Sequence, residues 1–243
     1  DSHGRTFSST PSPSPSFFAS HFPSFSRLSS SVDELRRWRR LPQSKKDTYC
    51  IIAANCFIFS LWQVPRLVPF MQRNFVTGRQ QLASHRYHTL LTSSISHYSI
   101  FHLFMNCYVL DSFAPRVQEE FGRQNFWALF GGGALISSFA SIANQRRVGL
   151  AGSLGSSGAI LCLLLSLFTS PSFSSALLCF PFLPTFTFTA FSAGMGLIAV
   201  DVFGLLARFR FLDHAGHLGG AMVGAGFGWW MGKKRRDRMS YFR

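Results

Sequence analysis

Five stretches of this chain contain no Asp, Glu, Lys or Arg, and their lengths limit what it can fold into: Thr48 to Pro65, Tyr87 to Leu110, Gln124 to Gln145, Val148 to Val200 and His214 to Gly232. Each reaches the roughly 18 residues that a helix needs to cross a bilayer, and the fourth is long enough for two. In lipid such a run must satisfy its own backbone hydrogen bonds, which a helix does. The chain therefore reads as an all-α polytopic membrane protein with six spans, near 48–65, 98–115, 125–143, 156–169, 187–206 and 214–232. Around this core of residues 48–232 lie a Ser/Pro-rich, basic N-terminal tail (1–47) and a basic C-terminal tail (233–243). The span at Ser156 is short and has to begin below the membrane surface. Pro171, Pro181 and Pro184 oppose a regular helix after it, so Pro171 to Phe188 reads as a connecting loop partly sunk in the interface.

A net charge of +14 invites a nucleic-acid partner, but the placement of the charge argues for lipid. Arg36, Arg37, Arg39, Arg40, Lys45 and Lys46 precede the first span, and Lys233, Lys234, Arg235 and Arg236 follow the last. Juxtamembrane clusters of this kind hold anionic head groups and set orientation. With six spans both termini share one side, which a positive-inside rule places in the matrix or cytoplasm. Membrane lipids are thus expected partners, and nucleic acid is not.

Residues 1–31 contain Arg5 and Arg27 and, after Asp1, no acidic residue. That composition fits an organellar transit segment or a disordered linker. Ser31-Val-Asp-Glu34 matches a capping box, and Leu35, Trp38 and Leu41 follow it, which predicts a short basic helix on the membrane surface. With no initial Met, the chain is expected to be a processed form or a fragment. Cys50, Cys56, Cys107, Cys162 and Cys179 form no Cys-x-x-Cys pair and read as small apolar residues, so neither a metal nor another cofactor is expected.

The chemistry is carried by Gly155-Ser156-Ser157-Gly158, which opens one apolar span, and by His217 in Asp213-His-Ala-Gly-His-Leu-Gly-Gly, which opens another. Polar residues inside a membrane are costly and usually functional. Acyl transfer by a serine needs a base for its proton and donors for the oxyanion. Ser157 is the candidate nucleophile, since it fits the Gly-x-Ser-Gly frame, and His217 is the candidate base, with His214 as its competitor. Gly216, Gly220, Gly224, Gly228 and Gly232 recur every four residues, and Gly158, Cys162 and Ser166 make a matching row. If those rows dock, Ser157 and His217 meet at one depth. His102 and Asn106, four apart on one helical face, are candidate oxyanion donors together with the Ser157 N–H; packing between helices explains the pair equally well. No Asp is obviously placed to orient His217: Asp213, four residues before it, could help, whereas Asp201, mid-span on another helix, reads as a buried hydrogen-bond acceptor.

Ser96-His-Tyr-Ser-Ile-Phe-His102 with Asn106, then Gly155-Ser-Ser157-Gly158-Ala, then Asp213-His-Ala-Gly-His217-Leu-Gly-Gly resemble the rhomboid intramembrane serine proteases in order and spacing. The likeness covers roughly residues 48–232. Within the family the chain is most similar to the mitochondrial presenilin-associated rhomboid-like group, through Ile51-Ile-Ala-Ala-Asn55 with Leu61-Trp62, Pro184 to Ala190, and Phe211-Leu-Asp-His214. The resemblance implies a Ser157–His217 dyad without a catalytic Asp, oxyanion help from His102 and Asn106, transmembrane protein substrates and a mitochondrial inner membrane location. Two departures stand out. Tyr87-His88 replaces the family's Trp-Arg pair, and no window before Thr48 supplies the extra span of that group's one-plus-six plan, a plan that would also reverse the orientation read from charge. The rival readings are a non-catalytic rhomboid-like protein that binds membrane helices, which usually lacks the Ser or His, and a transporter, which would be expected to show an inverted repeat.

Overall fold

The computed structural model describes residues 36–148, 152–180 and 183–240, and is mainly helical. Residues 36–40 are helical, in keeping with the expected surface helix, although its capping box lies outside the described residues. Each predicted span contains one main helix. These are α1 (Gln43–Trp62), α5 (Ile100–Phe121), α6 (Arg123–Val148), α7 (Ser157–Phe168), α8 (Ala190–Leu206) and α9 (His214–Ser240). Between α1 and α5 run the short helices α2 (Val68–Asn74), α3 (Arg79–Ala83) and α4 (Thr89–Thr92). Pro65 stops α1, and the segment Pro65–Asn74, which contains α2, leaves at a bend of 98°. Gly122, at φ 85°, turns the chain from α5 into α6 in a backbone conformation that side chains disfavour. Among the described residues, by length and apolarity only α6, over Arg123–Gln145, qualifies as a span unaided; α1 does so jointly with the bent segment after it, and α7 and α8 are shorter apolar helices. The six helices are present, while a sixfold crossing is not established by their lengths.

α7 is the hub. Every residue from Gly158 to Phe168 is buried, as befits a helix apolar on all sides, and α5, α6, α8 and α9 surround it. Lipid is as apolar as leucine, so helices there associate through close packing rather than through exclusion of water. The glycine row of α9 supplies that closeness. A Cβ on Gly220, Gly224 or Gly228 would stand 1.9, 2.0 or 2.3 Å from the carbonyl oxygens of Gly158, Cys162 and Ser166, so the two backbones touch over about two helical turns. The docking is shorter than the full glycine row: Gly216 faces Ser137 and Asp213, and Gly232 faces Pro171. α6 approaches the same row of α7 from its own side, through Gly133 against Cys162 and Ser137 against Gly158.

Polar groups fasten the end of the bundle opposite the start of α7. Arg123 pairs with Asp47 through two hydrogen bonds of 2.6 and 3.0 Å, joining α6 to α1. Arg235 of α9 donates to Glu120 of α5 at 2.5 Å, and the hydroxyls of Ser170 and Ser172, just after α7, donate to the same carboxylate.

The connection expected to be an irregular loop is largely a β-hairpin. β1 (Leu177–Phe180) pairs antiparallel with β2 (Leu183–Thr189), with Leu177 opposite Thr189. The prolines do exclude a helix there, but the alternation Thr185-Phe-Thr-Phe-Thr189 is a strand pattern that they mask. Thr189 then caps α8 by accepting from the Ser192 N–H at 3.1 Å, which is why that helix starts at Ala190 rather than at the expected 187.

Candidate active site

Ser157 is the first residue of α7, and the strand-like segment before it is strapped to the α2–α5 connection. Thr77 and Ser153 exchange backbone hydrogen bonds of 2.9 and 2.8 Å, and the Gly155 N–H donates to the Ser93 carbonyl at 2.9 Å. Gly155 is needed twice over. Its φ is 133°, and a Cβ there would sit 2.5 Å from the His102 ring. The first hydrogen bond within α7 comes from the Ile160 N–H to Ser156, so the amides of Ser157 and Gly158 have no carbonyl one turn earlier. Those N–H groups and the positive end of the helix dipole lie beside the serine, where an oxyanion would form.

α9 brings the base. His217 Nε2 lies 2.8 Å from Ser157 Oγ, and its Nδ1 lies 2.9 Å from Asp201 Oδ1 on α8. A carboxylate only accepts, so Nδ1 carries the proton and Nε2 is left as the acceptor facing the serine hydroxyl. Asp201 also accepts from His214 Nδ1 at 2.7 Å, which holds His214 away from the serine. The side chains of Asp201, His214 and His217 are only 8%, 3% and 11% exposed. In so dry a setting, fixed charges and dipoles act strongly.

Asp213 does not orient His217. Its carboxylate accepts from the Gly216 N–H at 3.0 Å and from the Ser153 hydroxyl at 2.5 Å, capping α9 and tying that cap to the strap before Ser157. The acid in contact with the candidate base is Asp201, the buried acceptor, which comes from another helix. Sequence spacing gave no sign of that pairing, although a lone Asp inside an apolar span is itself a signal.

His102 and Asn106 share a face of α5, as their spacing implies, but the Asn106 amide is held elsewhere. It donates to the His102 carbonyl and to His97 Nε2, both at 3.0 Å. His97 Nε2 also lies 3.2 Å from Ser156 Oγ, to which Asn55 donates at 3.4 Å. The His102 ring stands edge-on to His97 at 5.0 Å and covers Gly155. A second Ser–His pair thus sits beside the first. It differs in kind: Ser156 and His97 are fully buried, and among the described residues His97 Nδ1 has no hydrogen-bond partner and no carboxylate aligns this imidazole. His97 and Asn55 were missed as members of this network; a polar residue inside an apolar window, Asn55 above all, was the available sign.

The fold and site define a helical protein of apolar, lipid-facing character with a Ser–His–Asp chain at the mouth of its central helix. The rhomboid domain family matches residues 84–234, and the chain belongs to it. It is 39% identical over 191 residues to the mitochondrial presenilin-associated rhomboid-like proteins of Homo sapiens and Bos taurus, with 77% of this chain and 48% and 49% of theirs covered. Rhomboid protein 1, mitochondrial, of Saccharomyces cerevisiae is 31% identical over 80% of this chain and 56% of its own length. The chain spans about half the length of the curated relatives it matches. With them it is a mitochondrial rhomboid protein, integral to the inner membrane.

Proposed function

We propose that this chain is an intramembrane serine endopeptidase that cleaves transmembrane segments of other membrane proteins. The observation that carries the reading is the 2.8 Å contact between Ser157 Oγ and His217 Nε2, with Asp201 behind the imidazole. Nε2 takes the serine proton as Oγ attacks the scissile carbonyl, and the imidazolium is stabilised by Asp201 and passes the proton to the leaving amine. The amides at the start of α7 receive the oxyanion, with the His102 ring beside them over Gly155 and Asn106 positioned through His97. Water, activated by His217 in turn, hydrolyses the acyl-enzyme. The α7 helix of 12 residues is about 18 Å long, against a hydrocarbon core of about 30 Å. In a six-span arrangement Ser157 then lies below the membrane surface, where a substrate helix has to unwind to present its backbone.

The test is reaction of purified protein with a fluorophosphonate probe alongside cleavage of a transmembrane substrate in liposomes. Both signals are expected in the parent and neither in Ser157→Ala. Cleavage that persists in a folded Ser157→Ala protein refutes the proposal.

A further inference from the structure

Asp201 serves two histidines, and peptide hydrolysis uses only one of them. Among the described residues, Asp201, His214 and His217 form the one set of three ligating side chains whose donor atoms all lie within 4.8 Å of one another. They come from α8 and from successive turns of α9, and close packing holds them: a Cβ on Gly204 of α8 would stand 2.3 Å from the His214 ring. Two imidazoles and one carboxylate are the ligand type that binds zinc with a fourth position left for water.

We propose that Asp201, His214 and His217 are a binding site for a zinc-type divalent cation, and that occupancy switches the serine site off. Zinc bonds of about 2.0–2.1 Å in a tetrahedron put donors about 3.3 Å apart. The observed contacts of 2.7 and 2.9 Å to Asp201 Oδ1 therefore widen by about half an ångström as the metal replaces two N–H hydrogens. No proton is lost overall. In each neutral imidazole the proton leaves Nδ1, whose lone pair binds the metal, and Nε2 gains one through solvent. For His217 that exchange is decisive, because Nε2 becomes a donor to Ser157 Oγ. Metal-bound histidines ordinarily donate their second N–H in this way. The base then has no lone pair for the serine proton. A hard cation such as Mg²⁺ favours oxygen ligands and octahedral geometry, so it is not expected to compete.

Switching off rests on the protease reading above, but metal binding does not, and the experiment separates them. Cobalt(II) is titrated into purified Ser157→Ala protein in detergent, following the visible bands of a tetrahedral ion, and zinc is then used to displace it. In parallel, zinc is titrated into the active parent, with Mg²⁺ as control and EDTA added afterwards. One equivalent of cobalt bound per chain is expected, together with EDTA-reversible inhibition of the parent by zinc. His214→Gln weakens cobalt binding in the Ser157→Ala background at least about tenfold, a loss that even an outer-shell partner can produce. It also raises the inhibitory zinc concentration by the same factor when each protein is scaled to its own rate. Asp201→Asn serves as a second binding variant, and thermal melting checks that both are folded. Absence of saturable cobalt binding, or equal affinity in folded His214→Gln and Asp201→Asn, overturns the site. Binding by a parent with no proteolysis of any kind supports the site and counts against the protease reading instead.

Discussion

Asp201 Oδ1 lies 2.9 Å from Nδ1 of His217, across the packed faces of α8 and α9, so a carboxylate inside an apolar helix fixes the tautomer of the candidate base. The family resemblance implied a dyad; the geometry here is a chain of three. Asp201→Asn keeps the shape, but its amide can present an N–H to Nδ1 and favour the wrong tautomer. A fall in kcat of up to about 10⁴-fold is expected, with KM little changed, since the corresponding change in a serine triad costs that much. Cleavage kinetics in liposomes measure it. A variant with the parent's kcat would reduce Asp201 to a packing acceptor.

Ser157 and His217 are expected to act as one unit. Ser157→Ala and His217→Ala should each lower the rate nearly to that of the double variant, because removing either partner already abolishes proton transfer to and from the nucleophile. His214→Ala, which does not touch Ser157, should cost less than either. The comparison is made on kcat/KM for one substrate across all four proteins. Additive losses from Ser157 and His217 would show that the 2.8 Å contact is not catalytic.

How much of this was legible in the sequence depends on the range of the interaction. Charge-free windows located the six main helices, because lipid exposure and uncharged length are linked residue by residue. The glycine row with Gly158, Cys162 and Ser166 foreshadowed the docking of α9 on α7, because a four-residue period repeats along a helix. Asp201 was recognised as a buried acceptor but not as the partner of His217, since helix rotation decides which way a lone Asp points. Asp213 misled for the opposite reason: it is close in sequence, yet its carboxylate is taken by the cap of α9 and by Ser153. The Asn106 amide turned to His97 for a comparable reason, since the path of the chain before α5 decides what reaches it. The hairpin was hidden by prolines at its edge.

Glu120 gives a pH signature at the far end of the bundle, beyond the predicted span of α5. Burial alone would raise its pKa, but the hydroxyls of Ser172 and Ser170 and the Arg235 guanidinium outweigh that and hold the carboxyl below its ordinary value of 4.5. Because the folded-state pKa is the lower one, the unfolded chain binds more protons between the two values, and stability rises with pH there. The contribution is complete above the unfolded value and is lost as pH falls through the folded one. Glu120→Gln should therefore melt lower than the parent near neutral pH, and the difference should shrink as acid protonates Glu120 in the parent. Melting scans in detergent from pH 7 to pH 3 follow both; a constant difference across that range would detach the carboxylate from this network.

The glycines of α9 allow the most discriminating comparison, because neighbours in one helix face different surroundings. A Cβ at Gly224 would lie 2.0 Å from the Cys162 carbonyl oxygen, whereas one at Gly226 meets nothing within 4 Å among the described residues. Gly224→Ala must therefore push α9 off α7, and it moves His217 relative to Ser157 as it does so. Overpacking of this kind typically costs about 1–3 kcal/mol, and a displacement of about 1 Å at a catalytic pair can cost about 10²-fold in rate. Gly226→Ala carries the same methyl two residues away, without a clash and with better helix propensity, so its melting temperature and rate should equal or exceed the parent's. Melting and kcat measured side by side decide the matter. Equal behaviour of the two variants would mean that α9 does not rest on the α7 backbone along this face, and that the approach of His217 to Ser157 has some other support.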